Sequence, residues 1–225
     1  MNQKQIVIDQ FREDAMQAHA SIDLGALDTY FAQPPTAELE RAKARLRATL
    51  AEAEKQAILY GQTEHPTVNS LYLAIRKGKV IAINFGLPES EFIAQIEHQF
   101  EAPVYFDPDA TQASLKQVHA YLNGQRQTFD LPTDISLLTE FQQQVLQATQ
   151  QIPRGRIATY MDIARKIGKP RAVRAVGQAL GRNPIPIVIP CHRVIASNGS
   201  LGGYSGGGGL ETKARLLQLE GAMAI

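Results

Sequence analysis

Cys191 is the only cysteine in a chain of 225 residues, and His192 follows it directly in the run Ile185-Pro186-Ile187-Val188-Ile189-Pro190-Cys191-His192-Arg193-Val194-Ile195. A cysteine nucleophile acts as its thiolate, and an ordinary thiol with a pKa near ~8.5 is mostly protonated at neutral pH, so it needs a base or a positive field beside it. His192 and Arg193 can each supply one. A buried structural cysteine is the plain alternative. One thiol can form neither an internal disulfide nor a multi-cysteine zinc site, so neither holds the fold together. The apolar run predicts a strand that delivers Cys191 between rigid prolines, and on a strand adjacent side chains point to opposite faces. A proton relay from Cys191 to His192 through water therefore suits the pair better than direct contact.

The elements just before this run must position the thiol. Ser136–Gln151 reads as one amphipathic helix with Leu138, Phe141, Val145 and Leu146 on its apolar face, and Ile152-Pro153-Arg154-Gly155 ends it. Thr159 with Asp162 three residues on resembles a capping pair that starts a helix at Tyr160. Ile163, Ala164 and Ile167 face inward, Gly168-Lys169-Pro170 turns the chain, and Arg171–Leu180 forms the next helix. Two short helices joined by a Gly-containing turn, the second carrying Arg171 and Arg174, read as a helix-turn-helix. The charge distribution agrees. Up to Leu138 there are 12 Lys and Arg against 18 Asp and Glu, whereas from Thr139 on there are 11 against 4, so a net charge of +1 conceals a basic carboxyl-terminal part. Such asymmetry points to a polyanionic partner, a solvated helix face being the plain alternative.

Upstream, Ser70 to Phe85 reads as a β-hairpin around Arg76-Lys77-Gly78-Lys79. Pro88 then opens a helix carrying Phe92, Ile96 and Phe100; a short strand at Val104–Phe106, a helix through Leu115, Val118 and Leu122, and an extended piece near Phe129 follow. This small unit has no catalytic pattern, and His98 and His119 lack companions at metal-ligand spacing. From Ile6 to about Gly61 the chain is rich in Ala, Gln, Glu, Leu and Arg; Pro34-Pro35 break it, Thr36 caps, and Leu39, Ala42, Leu46, Leu50 and Ala53 recur at helical period. The reading is an α+β protein in three parts: a helical extension over 1–66 that packs or binds a partner, a small α/β domain over 67–135, and a helical, helix-turn-helix-containing domain over 136–225.

Several classes are excluded. A 44% hydrophobic and 20% charged composition is that of an ordinary globular protein, not of a disordered or collagen-like chain. The polar amino terminus carries no signal pattern and no apolar run approaches the ~18 residues of a membrane span, so a cytoplasmic protein without membrane contact is expected. Gly203-Tyr204-Ser205-Gly206-Gly207 fits an esterase nucleophile elbow, but no histidine follows Ser205 to complete a triad. The glycines at 206–209 lack the Gly-Lys-Ser/Thr of a phosphate loop and suit a mobile loop.

With Pro190-Cys191-His192-Arg193-Val194 preceded by Arg174-Ala175-Val176-Gly177 and Asn183-Pro184, and followed by Tyr204-Ser205-Gly206-Gly207 and Leu219-Glu220-Gly221, the chain resembles the O6-alkylguanine-DNA alkyltransferases, the methylated-DNA–protein-cysteine methyltransferases. The resemblance runs from about Phe141 to Gly221, and Ser70–Leu131 is more loosely similar to that family's ribonuclease-H-like amino-terminal domain. It implies direct-reversal repair of O6-alkylguanine in double-stranded DNA after base flipping, in a single-turnover, suicide transfer without a cofactor or metal, by a monomer. It further implies Cys191 as acceptor, His192 as base through a water, Glu220 as the group orienting the imidazole and Tyr160 as the hydroxyl neutralising the departing base. Arg174 would fill the stack, with Ala175 and Gly177 allowing close approach, Arg171 beside it on the DNA, Asn183 as hinge, and Tyr204, Ser205 and Gly206 closing over the base. Two other readings compete: an alkyltransferase-like sensor that binds lesions without reacting, against which Cys191 itself argues, and a thiol hydrolase.

Overall fold

The computed structural model describes residues 40, 41, 43–45 and 57–222. The chain divides into two compact units, Met1–Glu52 and Ala53–Ile225. In the first, the described residues are helical, with Lys43 paired to Glu40 at 3.3 Å one turn away. Pro34-Pro35, the Thr36 cap and the stripe through Leu39, Ala42, Leu46, Leu50 and Ala53 lie outside the described residues.

The second unit opens with three antiparallel strands, β1 (Ile58–His65), β2 (Asn69–Arg76) and β3 (Lys79–Phe85), followed by helix α1 (Glu89–Phe100), strand β4 (Val104–Phe106) and helix α2 (Pro108–Leu122). The sheet order is β3-β2-β1-β4, with β4 parallel to β1. The hairpin expected between Ser70 and Phe85 is present, turning on Lys77-Gly78. The helical reading up to Gly61, and with it a helical extension reaching residue 66, is corrected: Ile58–His65 is an inner strand. Its polar second half, Gln62-Thr63-Glu64, hides the alternation, and only pairing to neighbours on both sides makes a strand of it.

Alternation along β2 sends Leu71 and Leu73 to one face and Tyr72 and Ala74 to the other. The second face closes on Phe92 and Ile96 of α1. The first packs on Leu115, Val118 and Tyr121 of α2 and continues without a break into Val145 and Leu146 of the next helix, Ile163, Val176 and Cys191. Both sides of the expected 135/136 division thus share one core, and truncating a fully buried member such as Leu146 to Ala costs about 2–5 kcal/mol.

The carboxyl-terminal half comprises α3 (Glu140–Gln150), a short strand β5 (Ala158–Thr159), α4 (Tyr160–Lys166), α5 (Val173–Gly181), a 3₁₀ turn Cys191–Arg193, β6 (Val194–Ile195) and α6 (Gly209–Leu219). α3 starts at Glu140 rather than Ser136 because Thr139 and Gln142 form a reciprocal capping box. The capping pair Thr159/Asp162 starts α4 as expected. α5 begins at Val173, leaving Arg171 in the turn before it. Phe129 belongs to no strand; it packs on the Tyr121 ring.

The largest correction concerns the apolar run at 185–195. Residues 185–190 form an irregular loop with a bridge between Pro186 and Ile189, Cys191 stands on the 3₁₀ turn, and only Val194–Ile195 at the far end is strand. Pro184, Pro186 and Pro190 withhold the N–H groups a strand would need, and Ile187 sits at φ 74°.

Candidate active site

Asn183, at the end of α5, organises that loop. Its Nδ2 donates to the Ile189 carbonyl at 2.8 Å and its Oδ1 accepts from the Ile185 N–H at 3.0 Å. The Cys191 N–H donates to the same Ile189 carbonyl at 2.8 Å. The loop is therefore fixed from the helix before it, and the sulfur with it.

Cys191 is 6% exposed and opens onto a cavity of about 420 Å³, a size ordinary for a small-molecule site. Tyr160 from α4, Arg174, Gly177 and Gln178 from α5, and Gly203, Tyr204 and Ser205 from the loop before α6 share its wall. Burial pushes the Cys191 thiol up, while Asn183, the Lys213 charge and the N–H groups of Cys191 and His192 pull it back. The Tyr160 hydroxyl is raised by burial, against a hydrogen bond from the Gly203 backbone. Gly202, at φ 69°, passes so close to Tyr160 that a Cβ there would lie 2.6 Å from its hydroxyl oxygen. The Tyr204 hydroxyl is buried without a hydrogen-bond partner among the described residues.

Behind the thiol lies a charged cluster. His192 is fully buried, and its Nε2 donates to Glu220 Oε1 at 2.6 Å. Arg193 grips the same carboxylate, Nε to Oε2 at 2.8 Å and Nη2 to Oε1 at 3.1 Å, and the Tyr121 hydroxyl also donates to Oε1. Burial raises Glu220, but hydrogen bonds from His192, Arg193 and Tyr121 outweigh it and hold the carboxyl down to about 2. Burial lowers His192 despite Glu220. With Nε2–H committed to a carboxylate, Nδ1 is the basic nitrogen, and it has no partner among the described residues. A neutral, oriented imidazole beside a buried thiol is equipped to take a proton from it.

Of the residues expected from the sequence, Cys191, Tyr160, Arg174, Gly177, Tyr204 and Ser205 line one cavity. His192 and Glu220 are hydrogen-bonded to each other behind it, and Asn183 is stitched to the thiol loop. Asn183 and Gly206 also wall a neighbouring cleft of about 230 Å³. Ala175 is half-buried on α5 and Arg171 is exposed before it; neither lines the thiol cavity. The opposite-face argument for the Cys191–His192 pair falls with the strand on which it stood. Sequence reasoning missed Tyr121 and Lys213. Among the described residues no group of three or more His, Cys, Asp or Glu could hold a metal ion, and none of the helices there is long and apolar enough to cross a membrane.

Residues 140–222 match the sequence model described as 6-O-methylguanine DNA methyltransferase, DNA binding domain. Over 118 residues the chain is 47% identical to the methylated-DNA–protein-cysteine methyltransferase of Mycobacterium tuberculosis, which covers 52% of this chain and 70% of that protein. It belongs to the methylated-DNA–protein-cysteine methyltransferase family. The inducible member from Bacillus subtilis is 41% identical over 145 residues, 64% of this chain and 79% of the relative. Among solved structures, the M. tuberculosis family member in complex with DNA superposes with a TM-score of 0.63 at 36% identity, covering 73% of this chain and 93% of that one. A family member from Pyrococcus kodakaraensis gives 0.55 at 26% identity, over 73% and 99%. The family places both halves of the described unit, sheet and helices, in one mixed α+β architecture.

Proposed function

We propose that this protein repairs alkylated DNA by direct reversal, moving the alkyl group of an O6-alkylguanine in duplex DNA onto Cys191. The observation that carries the assignment to that residue is that the only sulfur nucleophile of the chain opens onto the 420 Å³ cavity. The cavity wall includes the basic helix α5.

The chemistry follows from the groups present. The thiol proton passes through a water to His192 Nδ1, and the thiolate attacks the alkyl carbon in line. A sulfur–carbon bond forms as the carbon–O6 bond breaks, and its electron pair leaves with guanine. Tyr160, which lines the cavity, offsets that charge through its hydroxyl. Glu220 orients the imidazole and stays ionised throughout, because three donors hold it. The thioether is not hydrolysed, so each chain reacts once.

The lesion lies inside the duplex and must be flipped out, at a cost of a few kcal/mol. In this reading α4 and α5 are a helix-turn-helix; Arg174 takes the vacated place in the stack, Ala175 and Gly177 let the helix approach, and Arg171 contacts the backbone. Tyr204, Ser205 and Gly206 close over the base, and Asn183 is the hinge. The order β3-β2-β1-β4, with β4 parallel to β1, supports a ribonuclease-H-like reading of the sheet half, and the start of the family match at residue 140 supports a functional boundary near 135/136. The protein acts as a monomer without a metal.

Incubation with a duplex containing O6-methylguanine, followed by intact-protein and peptide mass spectrometry, tests this. One methyl group on Cys191, absent in Cys191→Ser while DNA binding persists, is the expected result. Tight binding with unchanged mass would make the protein a lesion sensor instead.

A further inference from the structure

Lys213 in α6 is fully buried, and all three of its ammonium protons are engaged. Nζ donates to the carbonyls of Val194 at 2.6 Å, Leu201 at 2.5 Å and Gly203 at 3.2 Å. These acceptors are neutral, and among the described residues no carboxylate pairs with the amine. A buried cation without a counter-ion is costly to keep, so its retention calls for a negative charge that arises beside it.

Two features of the neighbourhood say what that charge is. Gly203 walls the thiol cavity and Gly202 passes against the Tyr160 ring and hydroxyl, so the carbonyls Lys213 holds belong to the segment packed on Tyr160. The titratable groups that feel its charge are Cys191 and His192: it pulls the thiol down and disfavours the imidazolium. Burial in turn draws the amine down to about 8, opposed by the Cys191 thiolate. The charge that arises nearby is the sulfur's own.

We propose that Lys213 is a positioning residue for the transfer: its ammonium clamps the 201–203 segment that walls the cavity, and it supplies the buried positive charge that the Cys191 thiolate requires. It makes no bond to the alkyl group. When the thiol proton leaves for His192, an anion arises on the sulfur; when the sulfur–carbon bond forms, that negative charge departs with guanine and the amine is again without a counter-ion, held by its three carbonyls. The proposal rests on Cys191 being the acceptor, yet the thiolate it concerns can be measured without DNA.

Because Cys191 is the only thiol, the rate of its alkylation by iodoacetamide, followed from about pH 6 to pH 10, reports its ionisation alone. Lys213→Met should move that profile up by about one pH unit, a tenfold loss of thiolate at neutral pH, and Lys213→Arg should restore most of it. A Lys213→Met profile that overlays the wild type would overturn the proposal. If Lys213→Met does not fold, the wild type still answers: the Lys213 amine, followed by ¹³Cε NMR, should titrate at lower pH once Cys191 has been capped with methyl iodide. An unchanged midpoint contradicts the inference. A shifted thiol profile in a protein that takes no methyl group from DNA would instead strike the functional reading and leave the Lys213 assignment intact.

Discussion

The Tyr121 hydroxyl donates to Glu220, joining side chains 99 positions apart in the sequence. Tyr121 lies near the end of α2, against the sheet, and Glu220 closes α6 behind the thiol. Through this bond the sheet half reaches the group that orients His192.

Tyr121→Phe should therefore do more than loosen the core. Removing one buried donor costs about 1–3 kcal/mol of stability, seen as a lower Tm. It also leaves Oε1 to His192 and Arg193, so the carboxylate polarises the imidazole more strongly and His192 becomes more basic. The acid limb of the single-turnover rate profile should move to higher pH. Lower stability with an unmoved limb would make Tyr121 a packing residue only.

Glu220→Gln separates charge from shape. The native carboxyl, held at about 2, titrates below its ordinary value. A group lowered by folding lends stability that is complete above its unfolded pKa and disappears as pH falls through the folded one. The wild type should lose on the order of 3 kcal/mol between about pH 4.5 and pH 2 from this group. Glu220→Gln should lack that acid-dependent loss but be less stable at pH 7, since Arg193 keeps a buried charge unpaired. Denaturant unfolding at several pH values checks both; parallel pH dependences in the two proteins would refute the role given to the carboxylate.

Arg174 and Arg171 should behave differently from each other. Arg174→Ala should slow methyl transfer while leaving affinity for unmodified duplex within a few-fold, because filling the stack matters only once a base is flipped. Arg171→Ala should weaken binding to all duplexes alike and flatten the salt dependence by about one unit of slope. Fluorescence anisotropy over a range of salt, paired with single-turnover transfer, separates them. Identical effects of the two substitutions would refute the division.

What the sequence makes legible here is chemistry that is local or spelled by motif. Thr159/Asp162 announces its helix, Lys77-Gly78 its hairpin, and Cys191-His192 its thiol beside an imidazole. Residues matched block by block to the family, such as Asn183, Tyr160 and Glu220, come together around the thiol. What stays hidden depends on contacts distant in sequence. β1 is a strand because β2 and β4 flank it, and no period in Gln62-Thr63-Glu64 says so. The run at 185–190 has the composition of a strand but carries prolines where a strand needs donors, and Asn183 holds it in another shape. Tyr121 reads as one more apolar position on a helix, and Lys213 as one more surface cation, until the fold brings Glu220 and the carbonyls of 194, 201 and 203 to them.

The account stands on Cys191 being consumed. The direct measurement is the amount of methyl removed when a large molar excess of O6-methylguanine duplex is mixed with a known amount of protein and followed until the reaction stops. A burst ending at one methyl group per chain, with every Cys191 capped, is predicted. Continued removal beyond one equivalent, with Cys191 regenerated, would contradict the account.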